Sequence, residues 1–163
     1  MSVTDIVLEN NHTYAAHFLG PLPLPPTKQL AVIACMDARL DVYRLLGLAE
    51  GEAHVIRNAG GVVTDDAVRS LAISQRMWGT KEIVLIHHTD CGMLTLTEDV
   101  DKVELAAAPR HEPERPAEAF EDLVDDLRRS IDRITASPLV LEKGSVRGFV
   151  FDVATGELTE VVG

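Results

Sequence analysis

The run Leu30-Ala31-Val32-Ile33-Ala34 is uninterrupted by any polar residue and stops abruptly at Cys35-Met36-Asp37-Ala38-Arg39. It lacks the alternation of a strand with one wet face, so it reads as a strand buried on both sides, the kind found inside parallel sheets. A second such run, Ile83-Val84-Leu85-Ile86, ends in His87-His88-Thr89-Asp90-Cys91-Gly92. The chain has two cysteines, and each falls just past one of these strands. In open parallel sheets the crevice at the carboxyl ends of the strands is where ligands bind.

Taken in order, the rest of the chain fits the same architecture. Asp5 to Leu19 reads as a helix with Ile6, Val7, Tyr14, Ala15 and Phe18 as its apolar positions. Gly20-Pro21-Leu22-Pro23-Leu24-Pro25-Pro26 cannot continue it, because proline lacks the donor and restricts its predecessor. This segment reads as a stiff extended arm carrying the first helix away from the core and able to lie across a second subunit, with proline-rich recognition by another protein as the weaker alternative. After the first strand come a short helix, Leu40 to Leu46, stopped at Gly47, and a strand, Ala53 to Ile56. A helix capped by Thr64 then runs to Trp78 and stops at Gly79, followed by a strand from Lys81 to His87. Strand–helix–strand–helix–strand in this order predicts parallel pairing with right-handed crossovers.

Glu98 to Pro116 is mostly charge, alanine and proline, and is expected to be a mobile surface segment. Ala117 to Ile134 has Phe120, Leu123, Val124, Leu127, Ile131 and Ile134 on one face and reads as a long amphipathic helix. Phe149 to Val153 is a fourth strand, and Leu158 to Val162 an edge strand after a turn at Ala154-Thr155-Gly156. The expectation is one α/β domain over residues 1–163, with helices on both faces of its sheet.

Charge narrows the partners. With 26 acidic and 15 basic residues the formal net charge is -11, which opposes nucleic acid and anionic membrane. No apolar run approaches bilayer length, and Met1-Ser2-Val3-Thr4-Asp5 lacks the basic and apolar blocks of a signal peptide. A cytoplasmic location is expected, where thiols stay reduced.

Zinc favours thiolate and imidazole in tetrahedral geometry, and the two-residue gap between His88 and Cys91 lets both converge on one ion. Cys35 would join them from the neighbouring strand, leaving a fourth position open as in catalytic sites. By spacing alone, the same residues also read as two buried cysteines and an ordinary histidine. Asp37 and Arg39 share a face if the chain stays extended, so they can pair, while Asp37 also lies near enough to reach the open position. A surface ion pair of little energetic consequence is the bland alternative. His87 is expected to point away from His88 and to pack. Asn58, Gly60 and Gly61 suit either a tight loop or a pocket wall.

Cys35-Met36-Asp37-Ala38-Arg39, Arg57-Asn58-Ala59-Gly60 and His88-Thr89-Asp90-Cys91-Gly92 together resemble the β-class carbonic anhydrases. The resemblance covers about residues 28 to 97, and more loosely the terminal strands. It implies Zn2+ held by Cys35, His88 and Cys91, with Asp37 and Arg39 as a catalytic dyad. It also implies four parallel strands plus an antiparallel edge, and a homodimer or higher homo-oligomer with exchanged N-terminal helices. The implied activity is reversible hydration of CO2 to bicarbonate and a proton by zinc-bound hydroxide. Asn58, Gly60, Gly61 and Gly92 are the candidate substrate contacts. The glutamine and partner aromatic pair of the plant-type subgroup are not evident. Leu40-Asp41-Val42, Ala59-Gly60-Gly61 and His87-His88 look instead like the short bacterial branch. That branch also contains carbonyl sulfide hydrolases, which makes carbonyl sulfide the alternative substrate. A non-catalytic protein binding zinc or bicarbonate is a third reading, opposed by the presence of all three ligands and both dyad residues.

Overall fold

The computed structural model describes residues 1–95 and 120–161. The segment 98–116 and the expected first turn of the helix at Ala117 lie outside the described residues.

Helix α1 (Val3–His17) begins two residues before the expected Asp5, because Ser2 and Asp5 form a reciprocal capping box. Strand β1 (Leu30–Cys35) is followed by the short helix α2 (Val42–Leu46), then β2 (Ala53–Asn58). Helix α3 (Asp65–Trp78) starts at its Thr64 cap and stops at Gly79, as the sequence predicts. Strand β3 (Glu82–His88), helix α4 (Leu123–Ala136), β4 (Ser145–Phe151) and β5 (Leu158–Val161) complete the order.

The strands form one sheet in the order β2-β1-β3-β4-β5. The first four are parallel and β5 runs antiparallel to β4. From β1 the chain crosses to β2 on one side, and β3 then lies on the other. The carboxyl ends of β1 and β3 therefore flank the point where strand order reverses, and a crevice opens there.

Two apolar layers cover the sheet. Ala31, Ile33, Ile83 and Leu85 pack with Leu71 of α3 and with Leu127 and Ile134 of α4. Val32, Ala34 and Ile86 pack with Leu40, Val42, Met93 and Phe120 on the other face. Ala31, Val32, Ile33 and Ala34 are completely buried, as the unbroken run in β1 requires.

Two expected boundaries shift for local reasons. Helix α4 begins at Leu123 because the Asp122 carboxylate accepts from the backbone of Val124 and Asp125. Phe120 thus precedes the helix and is buried against the opposite layer. Strand β4 lies before the expected Phe149–Val153 because Asp152 starts a turn, accepting from Ala154 and Thr155. Gly148 lets β4 continue beneath α4: a Cβ there would lie 2.9 Å from Leu127.

Candidate metal centre

Cys35 closes β1, His88 closes β3, and Cys91 follows on the turn that β3 enters. All three are buried, and one ligand atom from each lies within 4.8 Å of the others. His87 and His88 diverge as a strand demands. His87 Nε2 sits 2.8 Å from the Asp126 carboxylate on α4, whereas His88 faces the two cysteines.

The His88 ring is oriented for coordination. Its Nδ1 donates to the Thr89 carbonyl at 2.9 Å, which leaves Nε2 as the unprotonated nitrogen. That Nε2 is buried and has no hydrogen-bond partner. Buried polar atoms are seldom left unpaired, and one aimed at two thiols fits a soft or borderline divalent cation. Both cysteines are free rather than disulfide-bonded.

The thiols differ in acidity. Burial pushes Cys35 up, but its contact with His88 and backbone donors at Asp37 and Gly60 bring it down to about 7. Burial pushes Cys91 up to about 11, against a single opposing backbone donor at Met93. Burial also acts to lower His88, but Cys35, the Thr89 carbonyl and Asp37 raise it overall. Coordination of a cation by Cys35 and Cys91 displaces their thiol protons.

Asp37 and Arg39 pair as expected, though through a turn rather than an extended chain. Leu40 N donates to the Asp37 carbonyl, and the turn brings Arg39 Nε and Nη2 onto the Asp37 carboxylate at 2.9 and 2.7 Å. The Arg39 bonds hold the Asp37 carboxyl well below the usual carboxylate range. Its Oδ2 also lies 3.7 Å from His88 Nε2, so the dyad borders the ligand cluster.

A cavity of about 400 Å³ opens over these groups, walled by Met36, Ala59, Gly60, Gly92, Met93 and Thr95. Of the four candidate substrate contacts, Gly60 and Gly92 are in this wall; Asn58 and Gly61 are not. Asn58 instead donates to the Val62 carbonyl at 2.8 Å and shapes the loop. Gly61, at φ +72, lies so close to β1 that a Cβ would sit 2.7 Å from the Cys35 nitrogen. Only glycine tolerates both that conformation and that approach.

A family model described as carbonic anhydrase matches residues 30–158, a span that contains every one of these groups. The chain belongs to the β-carbonic anhydrase family. Beta-carbonic anhydrase 1 of Mycobacterium tuberculosis (strain ATCC 25618 / H37Rv) is 60% identical over 161 residues, covering 99% of each chain. The crystal structure of carbonic anhydrase from Streptococcus mutans superposes with a TM-score of 0.92 at 41% identity, covering 99% of each chain. A carbon disulfide hydrolase of Acidithiobacillus thiooxidans is 35% identical over 156 residues, covering 83% of this chain and 78% of its own.

Three residues around this β-class site escape sequence reasoning. Arg57 donates to the carbonyls of Cys35 and Asp37, although the motif containing it is visible. Asp90 accepts from Arg39 across the crevice. Phe120 stacks on His87 with ring centroids 5.5 Å apart. Arg57 and Asp90 stand inside the recognised motifs, and for Asp90 a charge beside a ligand is an available signal; Phe120 offers none.

Proposed function

We propose that this chain is a zinc-dependent carbonate dehydratase, with Cys35, His88 and Cys91 as the metal ligands. The observation that carries the reading is the buried, unpaired His88 Nε2 facing two thiols beside an arginine-held aspartate. Zinc suits this donor set and, when bound, makes water a competent nucleophile towards CO2 near neutral pH, a property for which carbonic anhydrases are the standard example.

The chain's own residues prepare the place. Two thiolates offset the formal charge of a divalent ion, so the centre acidifies water less than an all-histidine set does. Asp37 occupies the Arg39 fork, and a bound metal would compete with that fork for its carboxylate. Arg39 would thereby hold Asp37 off the metal. Met36, Ala59 and Met93 give the cavity an apolar wall suited to a small neutral gas. Gly92 presents backbone without a side chain beside the thiol of Cys91, and a Cβ there would meet nothing within 4 Å. Gly92 thus leaves room beside Cys91 for departing bicarbonate.

Hydrolysis of carbonyl sulfide or carbon disulfide at the same site is the alternative. The apolar cavity wall and the 35% identical carbon disulfide hydrolase favour it. Identity of 60% across the whole chain to a β-carbonic anhydrase places CO2 first. Stopped-flow CO2 hydration beside a sulfide-release assay on the zinc-loaded protein tests the order. A higher kcat/KM for either sulfur compound would reverse it.

The working form is at least a homodimer. No residue of α1 is buried, and Ile6, Val7 and Phe18 are about half exposed on a helix whose arm carries it off the sheet. A symmetric copy is the simplest surface to cover such a helix. The paired free thiols suit the reducing cytoplasm.

A further inference from the structure

Arg39 is held from two directions. One edge of its guanidinium, Nε and Nη2, meets the Asp37 carboxylate. The other edge meets Asp90: Nη1 donates to Oδ2 at 2.7 Å, and Nη2 to the Asp90 carbonyl at 2.9 Å. Asp90 stands between the ligands His88 and Cys91, and its backbone adopts φ 54. That left-handed conformation, uncommon for a residue with a side chain, aims both its oxygens at Arg39.

We propose that Asp90 is a positioning residue, which fixes the Arg39 fork so that Arg39 retains Asp37. The inference rests on the proposed competition between Arg39 and the metal for Asp37. A guanidinium is a rigid plane, and bonds on two of its edges stop it rotating. Without the Asp90 carboxylate the second edge keeps only the backbone carbonyl, Nη1 loses its partner, and the stem of a half-exposed arginine regains part of its freedom. The Asp90 carboxylate is 79% exposed, so as an isolated pair with Arg39 it would contribute little. Its effect comes from geometry: it links the loop after β1 to the turn after β3, so dyad and ligands keep one register.

Asp90→Gly tests this, since glycine tolerates the left-handed backbone and removes the side-chain acceptor; Asp90→Asn, which tolerates the same backbone and keeps a neutral acceptor, is the milder variant. Each variant is loaded with Co2+, whose visible spectrum reports the ligand set, and compared with the parent and with Arg39→Ala at one pH near neutral. The expected result is full metal content and a cobalt spectrum displaced in the same direction as that of Arg39→Ala. On the zinc forms, kcat should fall roughly two- to fivefold in Asp90→Gly and less in Asp90→Asn, with KM little changed, the size expected for loss of one exposed contact to Arg39. If Arg39→Ala shifts the spectrum and both Asp90 variants match the parent, the role of Asp90 is overturned while the dyad reading stands. If Arg39→Ala itself leaves the spectrum unchanged, both fail together. Loss of metal from both Asp90 variants would also overturn the proposal, because Asp90 would then be holding the ligand turn rather than Arg39.

Discussion

The guanidinium of Arg57 donates twice to the carbonyl oxygen of Cys35, at 3.0 Å from Nε and 2.7 Å from Nη2. The same Nη2 reaches the Asp37 carbonyl at 2.7 Å. One rigid fork on β2 therefore fixes the backbone on both sides of Met36, where a proposed ligand and the dyad acid are two residues apart. Lysine has one compact ammonium and cannot reproduce the fork. Arg57→Lys is expected to fold, to bind metal more weakly, and to lose activity. Arg57→Met leaves both carbonyls without this partner and should destabilise by about 1–3 kcal/mol. Chelator competition and thermal denaturation check the two effects. Parental metal affinity and melting temperature in both variants would show that the fork is idle.

The two thiols give metal uptake a distinct pH signature. A coordinating thiolate must lose its proton, and burial holds Cys91 up at about 11 while Cys35 lies at about 7. At neutral pH, uptake must therefore release the Cys91 proton and the fraction of a proton still carried by Cys35. Apparent affinity should rise with pH through the neutral range. Calorimetry in buffers of different ionisation enthalpy measures the released protons, expected to exceed one per ion. Cys35→Ser and Cys91→Ser should each lose most of their zinc, whereas His87→Ala should keep it. Full zinc in both serine variants would sink the ligand assignment.

Much of this centre is legible in the sequence because buried strands leave a strong signature. The apolar runs ending at Cys35 and at His87-His88 put both cysteines at one rim before any coordinates are consulted. The opposed directions of His87 and His88 follow from strand alternation alone. What is not legible depends on turns and on long-range packing. The Asp37–Arg39 pair forms through a turn, not on an extended face. Asp90 and Arg57 acquire their roles from partners 51 and 20 to 22 residues away. Phe120 keeps helical spacing with Leu123, Val124 and Leu127, yet the cap at Asp122 starts the helix after it. Periodicity cannot see a cap that interrupts an otherwise good face.

The N-terminal region offers a test of assembly. Helix α1 touches the rest of its own chain through the Tyr14 hydroxyl on Glu50, while Phe18, Leu19, Leu22 and Leu24 remain exposed. Deleting residues 1–26 should convert the protein to monomer or aggregate, read by light scattering and sedimentation. A soluble monomer with parental activity would contradict the dimer.

The pair beneath the site sets a stability prediction at acid pH. Burial acts to raise the Asp126 carboxyl, but hydrogen bonds from His87 and Arg129 outweigh it and lower the group below its ordinary 3.8. A carboxyl lowered in the folded state binds its proton more readily once unfolded. Its contribution is therefore complete above the ordinary value and is lost as pH falls through that value towards the folded one. Asp126→Asn removes the charge and has nothing to lose in that window. At neutral pH the variant should be less stable by about 1 kcal/mol, since His87 loses an ionised acceptor. As the pH drops below 3.8, the parent should fall towards the variant and the difference should shrink. Urea unfolding across an acid series measures both curves. Parallel curves at every pH would mean that Asp126 is not depressed, and that His87 is held by packing against Phe120 alone.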